Sequence, residues 1–122
     1  MKSQEFSIMS RIKSFRFALE GIVSFFKHEH NAWLHFIATV AVFALTWWVG
    51  VDKNELLALV FAVGFVWVAE MFNTCIERVM DFVTEKRHPE IKFIKDVASG
   101  AVLVAALTAL AVGAVIFIPK LF

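Results

Sequence analysis

The stretch Ala69-Glu70-Met71-Phe72-Asn73-Thr74-Cys75-Ile76-Glu77-Arg78-Val79-Met80-Asp81 carries three acids and an amide at the end of an apolar run. On a helix advancing 100° per residue, Glu70, Asn73, Glu77 and Asp81 fall within an arc of about 80°, one acidic stripe. Glu70 lies about 9 Å of helix inside the apolar end, where an acid costs up to about 3 kcal/mol to insert into a bilayer. A cost of that size points to a site. The structural alternative is an interhelical hydrogen bond or ion pair with Lys95 or Arg78.

Two more polar groups share this chemistry. Lys95-Asp96 opens a later apolar run and leads into Ala98-Ser99-Gly100-Ala101, whose lack of bulk lets a ligand approach the backbone. Glu29-His30-Asn31 precedes the first apolar run, with His35 one turn inside it. All three groups sit at the inner end of an apolar run, at one depth, and can converge. Several carboxylates with few His and no Cys set suit magnesium rather than zinc. Lys95, Arg78, Lys86, Arg87 and Arg11 can neutralise phosphates, and a carboxylate in an apolar setting can accept a hydroxyl proton. This is equipment for phosphoryl transfer. No Gly-rich Walker or kinase-type loop occurs, so a nucleotide would be held by helix ends and side chains.

The elements that position these groups are membrane elements. The 122 residues are 60% hydrophobic with a mean hydropathy of +0.74, too apolar for a soluble globule. Fourteen Phe and four Trp with no Tyr fit a lipid-facing surface. Three runs, Ala32 to Val49, Leu56 to Ile76 and Val97 to Ile118, are each long enough to cross a hydrocarbon core of about 30 Å, the first barely. The expected fold is therefore an all-α membrane protein, a single domain over residues 1–122 with spans at about 32–49, 56–76 and 97–118. The N-terminus does not read as a signal peptide, because charges and polar breaks run through Lys27. The single Cys75 excludes an intramolecular disulfide, and its place in an apolar helix predicts simple packing.

The linker Gly50 to Glu55 predicts a tight turn between antiparallel spans. A longer linker, roughly Arg78 to Ile94, contains Pro89, which marks a helix start or end. Lys and Arg number five before the first span, one in the short turn, five between the second and third spans, and one after the third. The positive-inside rule then puts the N-terminus and long linker in the cytoplasm, with the short turn and C-terminus outside. Ahead of the first span, Phe6, Ile8, Met9, Ile12, Phe15, Leu19, Ile22, Val23 and Phe26 recur at helical spacing among Arg11, Lys13 and Arg16. They predict an amphipathic surface helix over about 5–28. Trp33, Trp47 and Trp48 suit the interfacial belts.

Ala98, Ala101, Ala105, Ala109 and Gly113 form a small-residue stripe, a packing seam within or between subunits. Three thin helices bury little on their own, so a homo-oligomer is expected. A channel or transporter subunit is the rival class. It would want polar residues along a whole span, whereas the ionisable ones stop at the inner third.

Glu70-x-x-Asn73-Thr74-x-x-Glu77-x-x-x-Asp81, with Lys95-Asp96 before small residues, resembles the signature of the prokaryotic diacylglycerol kinase family, which includes the undecaprenol kinases. The likeness extends over nearly the whole chain. It implies a homotrimer in the bacterial cytoplasmic membrane, with active sites between protomers near the cytoplasmic surface and no nucleic-acid partner. It implies phosphorylation of diacylglycerol or undecaprenol by ATP with Mg2+, with Glu70 as general base and Glu29 and Glu77 as magnesium ligands. Arg11, Glu29, Glu77, Lys95 and Asp96 would contact ATP, as would Lys86, Arg87 and His88, of which only the His matches closely. Asn73 and Asp81 would support the site. Asn31, His35, Trp48 and Ser99, with Glu70, fall where the family meets its lipid. Ser14 to Gly21, Asn31 with His35, and Asp96 to Ala101 are more similar to the undecaprenol kinase branch. Phe17 stands where the diacylglycerol branch has a Tyr near the nucleotide.

Overall fold

A computed structural model describes residues 7–122 as four α-helices. They divide inside the second helix into two compact units, one ending at Ala38 and the other beginning at Thr39.

In the first unit, α1 (Ile8–His28) starts at Ser7, whose hydroxyl accepts the Ser10 N–H at 3.0 Å. Such a bond satisfies one of the amides that a helix start leaves open. Lys27 and His28 lie in the last turn, where positive charge complements the helix dipole. Arg16 and Glu20 pair one turn apart at 3.2 Å. Ile8, Met9, Ile12, Phe15 and Leu19 are all more than half exposed, the uncovered apolar face that a helix lying on lipid presents. Phe6 and the expected helix start at residue 5 lie outside the described residues. Glu29 is extended and ends α1, its N–H donating to the Phe25 carbonyl at 3.0 Å. The corner into α2 (His30–Val49) is tied by Trp33, whose indole N–H donates to the Phe26 carbonyl at 3.1 Å. The Phe26 ring meets Trp33 and Phe36 edge-on at 5.3 and 6.0 Å. Trp33 is thus a corner brace as well as a candidate belt residue.

In the second unit, α2 ends where Gly50 takes a φ of 82°, a left-handed value that favours glycine. The expected turn over 50–55 is shorter than the sequence suggested, because Asp52 caps α3 (Lys53–Val83). Its carboxylate accepts the Glu55 N–H at 2.8 Å while Glu55 accepts the Asp52 N–H at 3.0 Å. This reciprocal pair starts the helix three residues early. α4 (Pro89–Leu121) begins with His88 as N-cap and Pro89 in its first turn. The expected linker over 78–94 shrinks to Thr84–His88. Hydropathy marks where a chain leaves lipid, not where its helix stops. α3 and α4 have 31 and 33 residues, about 46 and 50 Å at 1.5 Å per residue. Both outrun a core of about 30 Å, and the excess at one end carries Glu77 to Val83 and Pro89 to Asp96.

α3 and α4 pack along their length in one antiparallel register. Glu55 meets Lys120 at 3.1 Å, Leu59 packs with Ile116 and Phe117, and Asp81 meets Lys95 at 2.7 Å. That register sets Glu70 level with Ala105 and Glu77 level with Ala98. Ala98 and Ala105 are the buried members of the small-residue stripe, Ala109 and Gly113 are half-buried, and Ala101 is exposed. The seam thus forms within the chain. Cys75 is exposed on the single chain, five residues and about 140° round the helix from Glu70, on a face left to lipid or another copy. Lipid or another copy must cover much of the rest, since only 11%, 11% and 17% of the three apolar windows is buried.

Candidate active site

Leu59, Ala62 and Glu70 are the buried residues of α3. Leu59 and Glu70 are eleven residues apart, about three turns, so the acidic stripe continues the face packed against α4. The apolar residues that build the seam thereby aim Glu70, Asn73 and Glu77 into it. The two buried alanines of α4 stand at the levels of Glu70 and Glu77, where larger side chains would fill the gap.

Glu70 is 8% exposed. Asn73 donates its amide to Glu77 at 3.4 Å, and its own Oδ1 is buried with no hydrogen-bond partner. A buried acceptor left unpaired has a cost that a hydroxyl, water or other donor entering the seam would relieve. Asp81, more exposed, takes the Lys95 ammonium at 2.7 Å. Asp96 takes Lys92 instead, one turn back along α4. The expected Lys95-Asp96 cluster therefore separates into two bridges, and Lys95 pairs with Asp81 rather than Glu70. Lys95 lies in the first two turns of α4, outside the apolar run. Its hydrogen bond to Asp81 holds its pKa above the ordinary lysine value against partial desolvation, with the charges of Asp81 and Glu77 adding. Lys92 is raised in the same way, first by its hydrogen bond to Asp96. A raised lysine keeps its charge to higher pH than an ordinary one.

Beyond the stripe, the loop between α3 and α4 walls a cleft of about 980 Å³ lined by Asp81, Lys86, Arg87, His88, Lys95 and Asp96, among others. Five candidate nucleotide residues thus face one space. Thr84, Glu85 and Lys92 also line it and were not singled out in the sequence. For Lys92 the signal was present, its four-residue spacing from Asp96, but it is readable only once helix is expected there. His88 is positioned by its capping bond, Nδ1 accepting the Glu90 N–H at 3.1 Å. That bond puts the ring proton on Nε2, a donor.

Ser99 is exposed on α4 and Trp48 is 73% exposed near the end of α2. Arg11, Glu29, Asn31 and His35 belong to the first unit, Arg11 and Asn31 exposed, Glu29 and His35 half-buried. Among the described residues no three His, Cys, Asp or Glu side chains gather as a ready metal cage. A half-buried carboxylate steadied by an amide, as Glu77 is by Asn73, still fits magnesium. That ion takes one or two carboxylates and completes its shell with phosphate and water oxygens.

Residues 16–117 match the model of a family described as prokaryotic diacylglycerol kinase, a segment holding every candidate site residue except Arg11. The chain is 37% identical over 109 residues to the undecaprenol kinase of Bacillus subtilis (strain 168), covering 89% of each chain. It is 32% identical to a diacylglycerol kinase of a Synechocystis strain, over 88% of this chain and 62% of that one. It is also 32% identical to the diacylglycerol kinase of Haemophilus influenzae, over 77% and 80% of the two chains.

Proposed function

The chain belongs to the prokaryotic diacylglycerol kinase family, and on that footing we propose that it transfers the terminal phosphoryl group of ATP, with magnesium, to the hydroxyl of a membrane lipid. It is an integral membrane lipid kinase. The observation that carries the finer reading is a buried acid, Glu70, in a seam that leads toward a cleft lined by Lys86, Arg87, Lys92 and Lys95 with Asp81, Glu85 and Asp96.

In this reading the lipid hydroxyl enters from the bilayer side and the nucleotide from the cleft. Glu70 accepts the hydroxyl proton as the oxygen attacks the γ-phosphorus, and the bond to the β-phosphate oxygen breaks to release ADP. Glu77 and Glu29 would hold the magnesium, with Asn73 orienting Glu77. When bound, that ion would offset the charge gathering on the transferred group. Lys95, Lys86, Arg87 and the His88 Nε2–H would bind phosphate oxygens, with Arg11 and Asp96 adding nucleotide contacts. Asn31, His35, Trp48 and Ser99 would meet the lipid. The small buried share of the apolar windows leaves surface for further copies, and the family resemblance makes that assembly a homotrimer. The five Lys and Arg on each inner segment support a cytoplasmic N-terminus and site in the bacterial inner membrane.

Undecaprenol is the favoured lipid, supported by the branch-like segments Ser14 to Gly21 and Asp96 to Ala101 and by the 37% identity over 89% of both chains. Diacylglycerol is the second reading, favoured by the relatives so named. Purified protein in lipid should transfer label from ATP to a lipid alcohol only with magnesium, with the higher kcat/KM for undecaprenol. A higher value for diacylglycerol reverses the lipid assignment, and transfer to neither sinks the kinase reading.

A further inference from the structure

We infer that Asp81 is a positioning residue for Lys95: it draws the ammonium across from α4 and holds it at the mouth of the seam, where the phosphates of a nucleotide would meet it. The inference rests on the nucleotide site proposed above. A lysine at this depth has a flexible four-carbon stem and, left alone, turns its charge out to water. Two carboxylates compete for it, and the one next to it in sequence is already taken. Asp96 is bound by Lys92 on the outer side of α4, where the two side chains are 62% and 78% exposed. Lys95 instead crosses to Asp81 at 2.7 Å, its own side chain 36% exposed.

Asp81 lies one turn beyond Glu77 on the same stripe of α3, so the bridge fixes the ammonium within about 6 Å of helix from the level of Glu77. The bond uses one of the three lysine protons and leaves two for phosphate oxygens. The same bridge forms one edge of the cleft lined by Lys86, Arg87 and His88. Ion pairs this exposed add little to folding. Removing Asp81 is therefore expected to change nucleotide binding rather than stability.

The test uses the full chain in lipid bilayers, with ATP affinity measured by equilibrium titration beside steady-state kinetics. Asp81→Asn should raise both Kd and KM for ATP about fivefold and change kcat less than about twofold, as loss of one positioned charge contact predicts. Asp81→Glu should restore most of the loss. In a Lys95→Gln background, Asp81→Asn should add nothing further. An unchanged or tightened ATP affinity in Asp81→Asn overturns the inference, as does an equal further loss in the Lys95→Gln background. Wild-type protein with no affinity for ATP overturns the nucleotide site itself, a result distinct from an insensitive variant of a binding-competent protein.

Discussion

In the α3–α4 register fixed by Glu55–Lys120, Leu59–Ile116 and Asp81–Lys95, Glu70 stands level with Ala105, and both are buried, at 8% and 0% exposed. Replacing Ala105 with Leu should overfill the seam at a cost of about 1–3 kcal/mol. It should also displace the carboxylate. A lowered Tm with a disproportionate fall in kcat is expected, while Ala105→Gly should keep the activity. Wild-type turnover by Ala105→Leu would show that the seam is not where Glu70 acts.

Glu70→Gln keeps the shape of the side chain and removes the proton acceptor. Turnover should fall by about 10²- to 10⁴-fold, with ATP affinity and Tm close to wild type. Full activity in this variant rules out Glu70 as the base.

Glu77→Gln should raise the magnesium concentration needed for half-maximal activity and weaken ATP binding in the presence of the metal. The readout is a magnesium titration at fixed ATP. An unmoved magnesium curve removes Glu77 from the metal site.

His88 has two jobs that substitution can separate. Asn is a strong N-cap, so His88→Asn should keep the start of α4 while deleting the imidazole donor, whereas His88→Ala loses both, the cap at about 1 kcal/mol. If His88 contacts the nucleotide, both variants should raise KM for ATP, and only Ala should lower Tm. A normal KM in His88→Asn confines the residue to capping.

Asp52→Ala provides a contrast at the far end of α3. It should cost about 1 kcal/mol of stability through the lost cap and leave KM for ATP where it was. Thermal unfolding in one detergent and steady-state kinetics measure the two effects.

The acidic stripe was legible because helical periodicity is local: Glu70, Asn73, Glu77 and Asp81 share a face wherever that segment is helical. Hydropathy likewise picked out the three long apolar helices, since about twenty apolar residues in a row admit few other readings. It could not say that α3 runs on to Val83 or that α4 starts at Pro89, because a helix that leaves lipid meets no obligation to end. The choice of Asp81 over Asp96 by Lys95 was also hidden. Adjacent residues on a helix do not face each other, and the partner across the seam depends on the α3–α4 register, which the Leu59–Ile116 contact helps to set. The exposure of Cys75 follows from the same geometry, once the buried face of α3 is known.

The ion pair Glu55–Lys120 closes one end of the α3–α4 hairpin and Asp81–Lys95 the other, with Leu59 and Ile116 interdigitated between. Sliding one helix past its partner by a single turn, about 5.4 Å, would break both pairs at once. Tilting the hairpin as a unit answers a change in bilayer thickness without breaking either pair. A change of tilt then leaves the spacing of Glu70, Glu77 and Lys95 along the pair the same.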